Sequence, residues 1–162
     1  MRLLLLSSLP LFLICGEAHG QQSHGYAFLA PGGVSSSGHT SSTYQMGGGL
    51  EGSLARGIGA GAELSALGAG RAFSNSVFGL FSLSGYYHFP PHQQKLDPFA
   101  TLGYSLAFRT SPKNLLNFGF GSNYWFRDNL GLKLEFRDHV WRQDAFTANY
   151  WGFRVGLTFR LR

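Results

Sequence analysis

The stretch NYWGFRVGLTFRLR, residues 149–162, alternates in character from one residue to the next. Trp151, Phe153, Val155, Leu157, Phe159 and Leu161 fall on one side; Tyr150, Gly152, Arg154, Gly156, Thr158 and Arg160 fall on the other. Successive side chains of a β-strand point to opposite faces, so period-two alternation predicts a strand with one apolar and one polar face. Here the apolar face carries no charge and all three arginines of the stretch, Arg154, Arg160 and Arg162, share the other parity. A strand between lipid and a polar interior has this pattern.

The pattern recurs upstream. Leu130, Leu132, Leu134 and Phe136 alternate with Gly131, Lys133, Glu135 and Arg137. Leu116, Phe118, Phe120, Tyr124 and Phe126 alternate with Asn117, Gly119, Gly121 and Asn123; Leu102, Tyr104, Leu106 and Phe108 alternate with Thr101, Gly103, Ser105 and Ala107. Further runs lie at 76–89, where Phe78 and Leu80 blur the alternation, at 58–67 and at 43–54. A weaker one lies at 24–30, with Tyr26 and Phe28. Together they predict an all-β fold, an eight-stranded antiparallel up-and-down transmembrane β-barrel. Most runs are about ten to thirteen residues, longer than the mean soluble strand of about 5–6 and close to the roughly 9–11 that cross a bilayer at a tilt.

Composition agrees. Hydrophobic residues make up 44% and charged residues only 13%, about half the charged share of a soluble domain. The 23 glycines and 15% aromatics favour sheets and tight turns. The net charge of +5 is scattered, without the clustered Lys and Arg of a nucleic-acid surface, so no nucleic-acid partner is expected. Residues 1–20 read as a secretory signal peptide: Arg2, the short apolar run LLLLSSLPLFLI, and small residues at Ala18 and Gly20. Cys15 suggests a lipoprotein signal, but Ile14 before it is not small. The division is thus 1–20, cleaved signal, and 21–162, barrel domain.

The connections set the register. ARG (55–57) and RDN (127–129) read as three-residue hairpin loops, with Gly57 and Asn129 in the left-handed conformation. Leu54 then opposes Ile58, and Phe126 opposes Leu130. In the same registers Glu51 faces Gly61, Glu63 faces Gly49, Lys133 faces Asn123, Glu135 faces Gly121 and Arg137 faces Gly119. Eight strands leave an interior just wide enough for side chains, and glycine opposite a long side chain makes room for it. Glu51, Glu63, Lys133, Glu135, Arg137, Arg154 and Arg160 are therefore assigned to an interior charge network, because buried charges need partners. Leu132, Leu134, Phe153, Val155, Leu157 and Phe159 are assigned to the lipid face. Tyr44, Trp125, Trp141, Tyr150 and Trp151 are assigned to an aromatic girdle. Longer loops at 31–42, 68–75, 109–114 and 142–148 are placed on the opposite side from the short turns.

On the export signal, GGGLEGSLARGIGAGAEL (47–64), NFGFGSNYWFRDNLGLKLEFRDHVW (117–141) and FRVGLTFRLR (153–162), the chain resembles the outer-membrane β-barrel domain family, the small barrels of the OmpA and OmpX type. The resemblance implies a bacterial outer-membrane location, outer-membrane lipids and the barrel-assembly machinery as partners, and a monomer. The family usually ends on an aromatic residue, whereas this chain ends Phe159-Arg160-Leu161-Arg162.

The expected role is structural or surface-interactive, without catalytic activity or cofactor. Two alternatives stand beside it. One is a lipid A-modifying enzyme: a deacylase of that type carries a His-x-Ser pair on a strand with a carboxylate nearby, and His39-Thr40-Ser41 has the spacing, but in what reads as a Ser/Gly-rich loop. The other is a soluble lipocalin-like barrel binding an apolar ligand, with its apolar face turned inward. His88, His92 and His139 have no metal-ligand spacing and read as girdle or loop residues.

Overall fold

The computed structural model describes residues 23–36, 38–69, 77–90, 95–109, 112–143 and 146–161. The expected signal peptide lies outside them. Eight strands follow in chain order: β1 (His24–Ser36), β2 (His39–Ala55), β3 (Ile58–Ala69), β4 (Val77–His88), β5 (Leu96–Phe108), β6 (Lys113–Arg127), β7 (Leu130–Gln143) and β8 (Phe146–Arg160). Each pairs antiparallel with the next, and β8 pairs with β1, closing the barrel. Closure leaves no strand edge, which is what the interior of a bilayer demands of a sheet.

The alternating runs become the two faces. Phe153, Val155, Leu157, Phe159 and Leu134 lie exposed on the outside, with Leu132 half-buried among them. Leu64, Leu102, Leu116 and Phe120 join them from other strands, each exposed by more than half. A belt of that size fits only a lipid solvent. The lipocalin-like alternative needs this face inside, and it is outside.

The registers of the charged positions are Glu51↔Gly61, Gly49↔Glu63, Asn123↔Lys133, Gly121↔Glu135 and Gly119↔Arg137, as expected. Aromatic rings, however, occupy the glycine hollows. A Cβ on Gly49 would stand 2.7 Å from the Tyr26 hydroxyl, and one on Gly121 would stand 2.9 Å from Phe99 Cζ.

The hairpin turns differ from expectation. Ile58 pairs with Ala55, and the ladder slips between Ser53 and Ala55. The turn is therefore the two residues Arg56 and Gly57, with φ of 45° and 84°. Two positive φ values match the right-handed twist of the strands, and the slip at Leu54 absorbs the odd residue. Leu130 likewise pairs with Arg127, with a slip between Trp125 and Arg127. Asn129 does not take a positive φ; Arg56 is the one non-glycine among the described residues that does.

Residues 31–42 also depart from expectation. Pro31–Ser36 pairs with His39–Tyr44 in a continuous ladder, and only residues 37 and 38 separate the strands. Glycine and serine are poor evidence of a loop here because backbone hydrogen bonds alone make the ladder. The Ser35 and Thr40 hydroxyls add a 3.2 Å contact across it. Likewise β7 runs to Gln143 and β8 begins at Phe146, so little of the expected 142–148 loop remains.

Candidate functional site

The interior is built in layers. At the end that carries the 56–57 and 128–129 turns, Glu51 is the hub. Its carboxylate lies 2.6 Å from His88 Nε2, 3.2 Å from His24 Nε2 and 3.7 Å from Lys133 Nζ. His88 Nδ1 reaches Asp97 at 2.8 Å. Lys133 also lies over aromatic faces, 3.9 Å from the Phe99 ring centre and 4.7 Å from that of Tyr26. Midway, Arg154 donates to Glu63 at 2.7 Å and to Gln45 at 3.2 Å, and its guanidinium lies 4.3 Å from the Phe28 ring centre. Arg137 pairs with Glu135 and donates to Asn117 and Tyr86 at 3.3 Å. The Tyr26 hydroxyl donates to Glu63 at 3.0 Å. These charges are buried and paired, the arrangement that makes burial of ions tolerable. Arg160 instead sits half-buried at the rim, over Trp125 at 4.1 Å, with Nη1 donating to the Asp128 carbonyl.

The next layer holds a serine and a histidine. His139 Nδ1 lies 3.1 Å from Ser105 Oγ, and Arg154 Nη2 lies 3.2 Å from His139 Nε2. Arginine can only donate, so Nε2 accepts and Nδ1 carries the proton. His139 therefore donates to Ser105 and cannot take its proton. Both residues are fully enclosed, and no substrate reaches them.

Above this layer the interior turns apolar. Leu67, Leu80, Ala107 and Leu115 form a buried cluster backed by Phe78, Trp141 and Tyr150. Phe78 and Leu80 blurred the β4 alternation because they face inward into this cluster. Over it opens a cavity of about 320 Å³ lined by Phe78, Ala107, Phe108, Arg109, Lys113, Leu115, Trp141 and Tyr150. Lys113 Nζ lies 3.9 Å from the Trp141 ring centre.

Three girdle assignments need correction. Trp125 is buried inside against His24 and Arg160, while Trp141 and Tyr150 pack on the inner apolar cluster. Each shares the parity of inward neighbours: Trp125 with Asn123, Trp141 with His139, Tyr150 with Arg154. Tyr44 is exposed on the outside, and Trp151 lies outside against Gly33 with Nε1 donating to Ser35 at 3.3 Å. His88 and His139 are likewise interior network members instead of girdle or loop residues. His92 lies outside the described residues.

The His-x-Ser pair is also placed differently from expectation. His39, Thr40 and Ser41 open β2, and all three are exposed at the outer rim. His39 and Ser41 are two residues apart on one strand and so share a face, the one that continues inward as Thr43 and Gln45. The reason given for setting the pair aside, a loop position, does not hold. The described carboxylates lie elsewhere: Glu51, Glu63, Asp97 and Glu135 in the network, Asp128 in the β6–β7 turn. Asp138 has the parity of Leu134 and Phe136, between Phe118 and Trp151 in the ladder, with Oδ1 buried and unpartnered. The sequence reading passed over it, although its place in the LKLEFRDHV alternation puts an acid on the lipid side.

Comparison with known proteins gives the same fold and a family. Neisserial surface protein A superposes with a TM-score of 0.66 at 12% identity, over 86% of this chain and 97% of that one. The N-terminal β-barrel domain of Pseudomonas aeruginosa OprF gives 0.62 at 17%, over 86% and 97%. Ail, the attachment invasion locus protein of Yersinia pestis, gives 0.54 at 14%, over 86% and 99%. No curated protein matches by sequence. The family model for lipid A 3-O-deacylase (PagL) matches residues 24–160, all eight strands. That match overturns the expectation of a non-catalytic barrel, which rested on the weakness of the motifs. The chain is an outer-membrane eight-stranded β-barrel and belongs to the lipid A 3-O-deacylase (PagL) family.

Proposed function

We propose that the protein hydrolyses an ester-linked acyl chain of lipid A in the outer leaflet. The observation that carries this reading is the family match across the whole barrel. The geometry supports it at one place: His39 and Ser41 share a face of a strand at the outer rim. An ester at the head-group boundary can approach there, and a strand fixes the pair better than a loop does. Ser41 Oγ attacks the acyl carbonyl while His39 takes its proton. The imidazole then returns that proton to the departing sugar hydroxyl. Water, deprotonated by His39, releases the fatty acid from Ser41.

The test is mass spectrometry of lipid A from a Gram-negative host that lacks such an activity, with and without the expressed chain. Loss of one 3-O-linked acyl group is expected with the wild-type chain. Ser41→Ala and His39→Ala should leave lipid A intact while still giving a folded band that shifts on boiling. Unaltered lipid A beside a folded wild-type barrel refutes the reading. Full activity in both variants removes this pair from the chemistry.

A further inference from the structure

We infer that the cavity in the outer mouth of the barrel holds one acyl chain of a phosphate-bearing outer-leaflet lipid, with Arg109 and Lys113 at its rim receiving the phosphate. Its walls are apolar where Ala107, Leu115, Trp141 and Tyr150 line it, and among the described residues its charged linings are those two bases. A volume of about 320 Å³ falls at the small end of ligand pockets, roughly 300–1,000 Å³. The inner layer of Leu67 and Leu80 closes it from the polar network below. An apolar tail with an anionic head matches this distribution, whereas a free sugar would leave the apolar walls unmatched.

The sheet offers a way in from the membrane. The β3–β4 ladder runs up to Gly68↔Val77, but the β4–β5 ladder ends lower, at Gly79↔Phe108. Arg109 Nη1 donates to the Val77 carbonyl at 2.8 Å across that seam, in place of a backbone partner. A side-chain contact opens at far less cost than a strand pair, and this one lies beside the cavity. The register also relates the cavity to the rim pair: Tyr150 pairs with Val34, and Val34 with Ser41. Ser41 is thus two strand spacings, ~10 Å, from the cavity wall. The inference deepens the deacylase reading by naming where the substrate's chain and phosphate are held. It is read out by binding, so the two can fail separately.

The experiment is native mass spectrometry of the folded barrel released from non-ionic detergent. The probes are palmitoyl lysophosphatidic acid and monopalmitoylglycerol, which carries the same acyl chain and no phosphate. The wild-type barrel should retain one lysophosphatidic acid and hold monopalmitoylglycerol several-fold less well. Ala107→Phe and Leu115→Trp, each filling the cavity, should lower retention of both lipids by at least about tenfold. Arg109→Gln with Lys113→Gln should abolish the preference and leave retention of monopalmitoylglycerol unchanged. Ser41→Ala should retain lipid like the wild type, whatever happens to lipid A in cells. Folding of each variant is checked by the band shift on boiling. Wild-type retention in either folded cavity-filling variant would overturn the inference and place the lipid on the outer belt. Equal retention of the two lipids by the wild type would remove Arg109 and Lys113 from head-group recognition and overturn it in that part.

Discussion

The pairing of Arg154 with Glu63 is the sharpest test of how the interior is held together. Arg154 donates to Glu63 at 2.7 Å and lies 3.8 Å from Glu135, with both partner carboxylates almost fully buried. Arg154→Met keeps much of the side-chain volume but leaves Glu63 with the Tyr26 hydroxyl at 3.0 Å as its remaining donor. Stranding a buried charge in this way costs about 3–5 kcal/mol. Glu63→Gln keeps the shape and an acceptor oxygen, so it should cost less, about 1.5–3 kcal/mol for a charged hydrogen bond. In the double variant neither charge is stranded, since Glu135 retains Arg137. Its loss should fall short of the sum of the singles by ~2 kcal/mol, within the range of residues in direct contact. The assay is urea unfolding of barrels refolded into lipid vesicles, followed by tryptophan fluorescence. Additivity within about 0.5 kcal/mol would show that the two side chains do not depend on each other, and the network would reduce to independent contacts.

Other outcomes follow from single positions and can be read in the same assay. Leu157→Arg places a charge in the lipid belt beside Phe159 and Val155 and should cost about 2–4 kcal/mol if it sits near the bilayer midplane. Gln143→Arg, exposed at the rim, should stay within about 0.5 kcal/mol; equal effects would contradict the facing. Gly57→Ala should destabilise, because φ is +84° and the new Cβ would stand 2.7 Å from the His88 carbonyl. Arg56→Asn should raise the unfolding midpoint, since the left-handed conformation costs most residues about 1–2 kcal/mol and asparagine less. A lower midpoint would show that the arginine side chain does more for the turn than its backbone costs.

The two faces of β2 to β8 were legible because lipid and a packed polar interior select opposite side chains at every second position. The charged registers were legible for the same reason: a slip of one residue would send Glu135 or Arg154 into lipid. The bulges were not, because two-residue and three-residue turns leave the distant register identical once a slip beside the strand end compensates. β1 read weakly because Tyr26 and Phe28 face inward, against Glu63 and Arg154. Trp125, Trp141 and Tyr150 were misplaced because a girdle and an inner apolar layer use the same residue types. Residue type alone could not separate them, although parity with Asn123, His139 and Arg154 could. The Ser105–His139 contact joins β5 to β7, and no sequence spacing encodes it.

The interior layering narrows where chemistry can occur. Buried ion pairs fill the barrel from Glu51 to Arg154, and the apolar layer of Leu67, Leu80, Ala107 and Leu115 separates them from the outer mouth. A nucleophile placed among the pairs would be enclosed, and a histidine there is committed as a donor, as His139 is. Ion pairs in place of an all-apolar interior also keep that side of each strand incompatible with lipid, which fixes which face turns inward during assembly. Above the apolar layer, at the mouth, stand His39 and Ser41 on β2, with Arg109 and Lys113 on the far side. If the barrel acts on a membrane ester, the lower network serves to hold these rim positions in register. Arg154→Met should then alter lipid A processing only as far as it lowers the folded fraction. Activity lost from a fully folded Arg154→Met barrel would instead draw the interior into the chemistry.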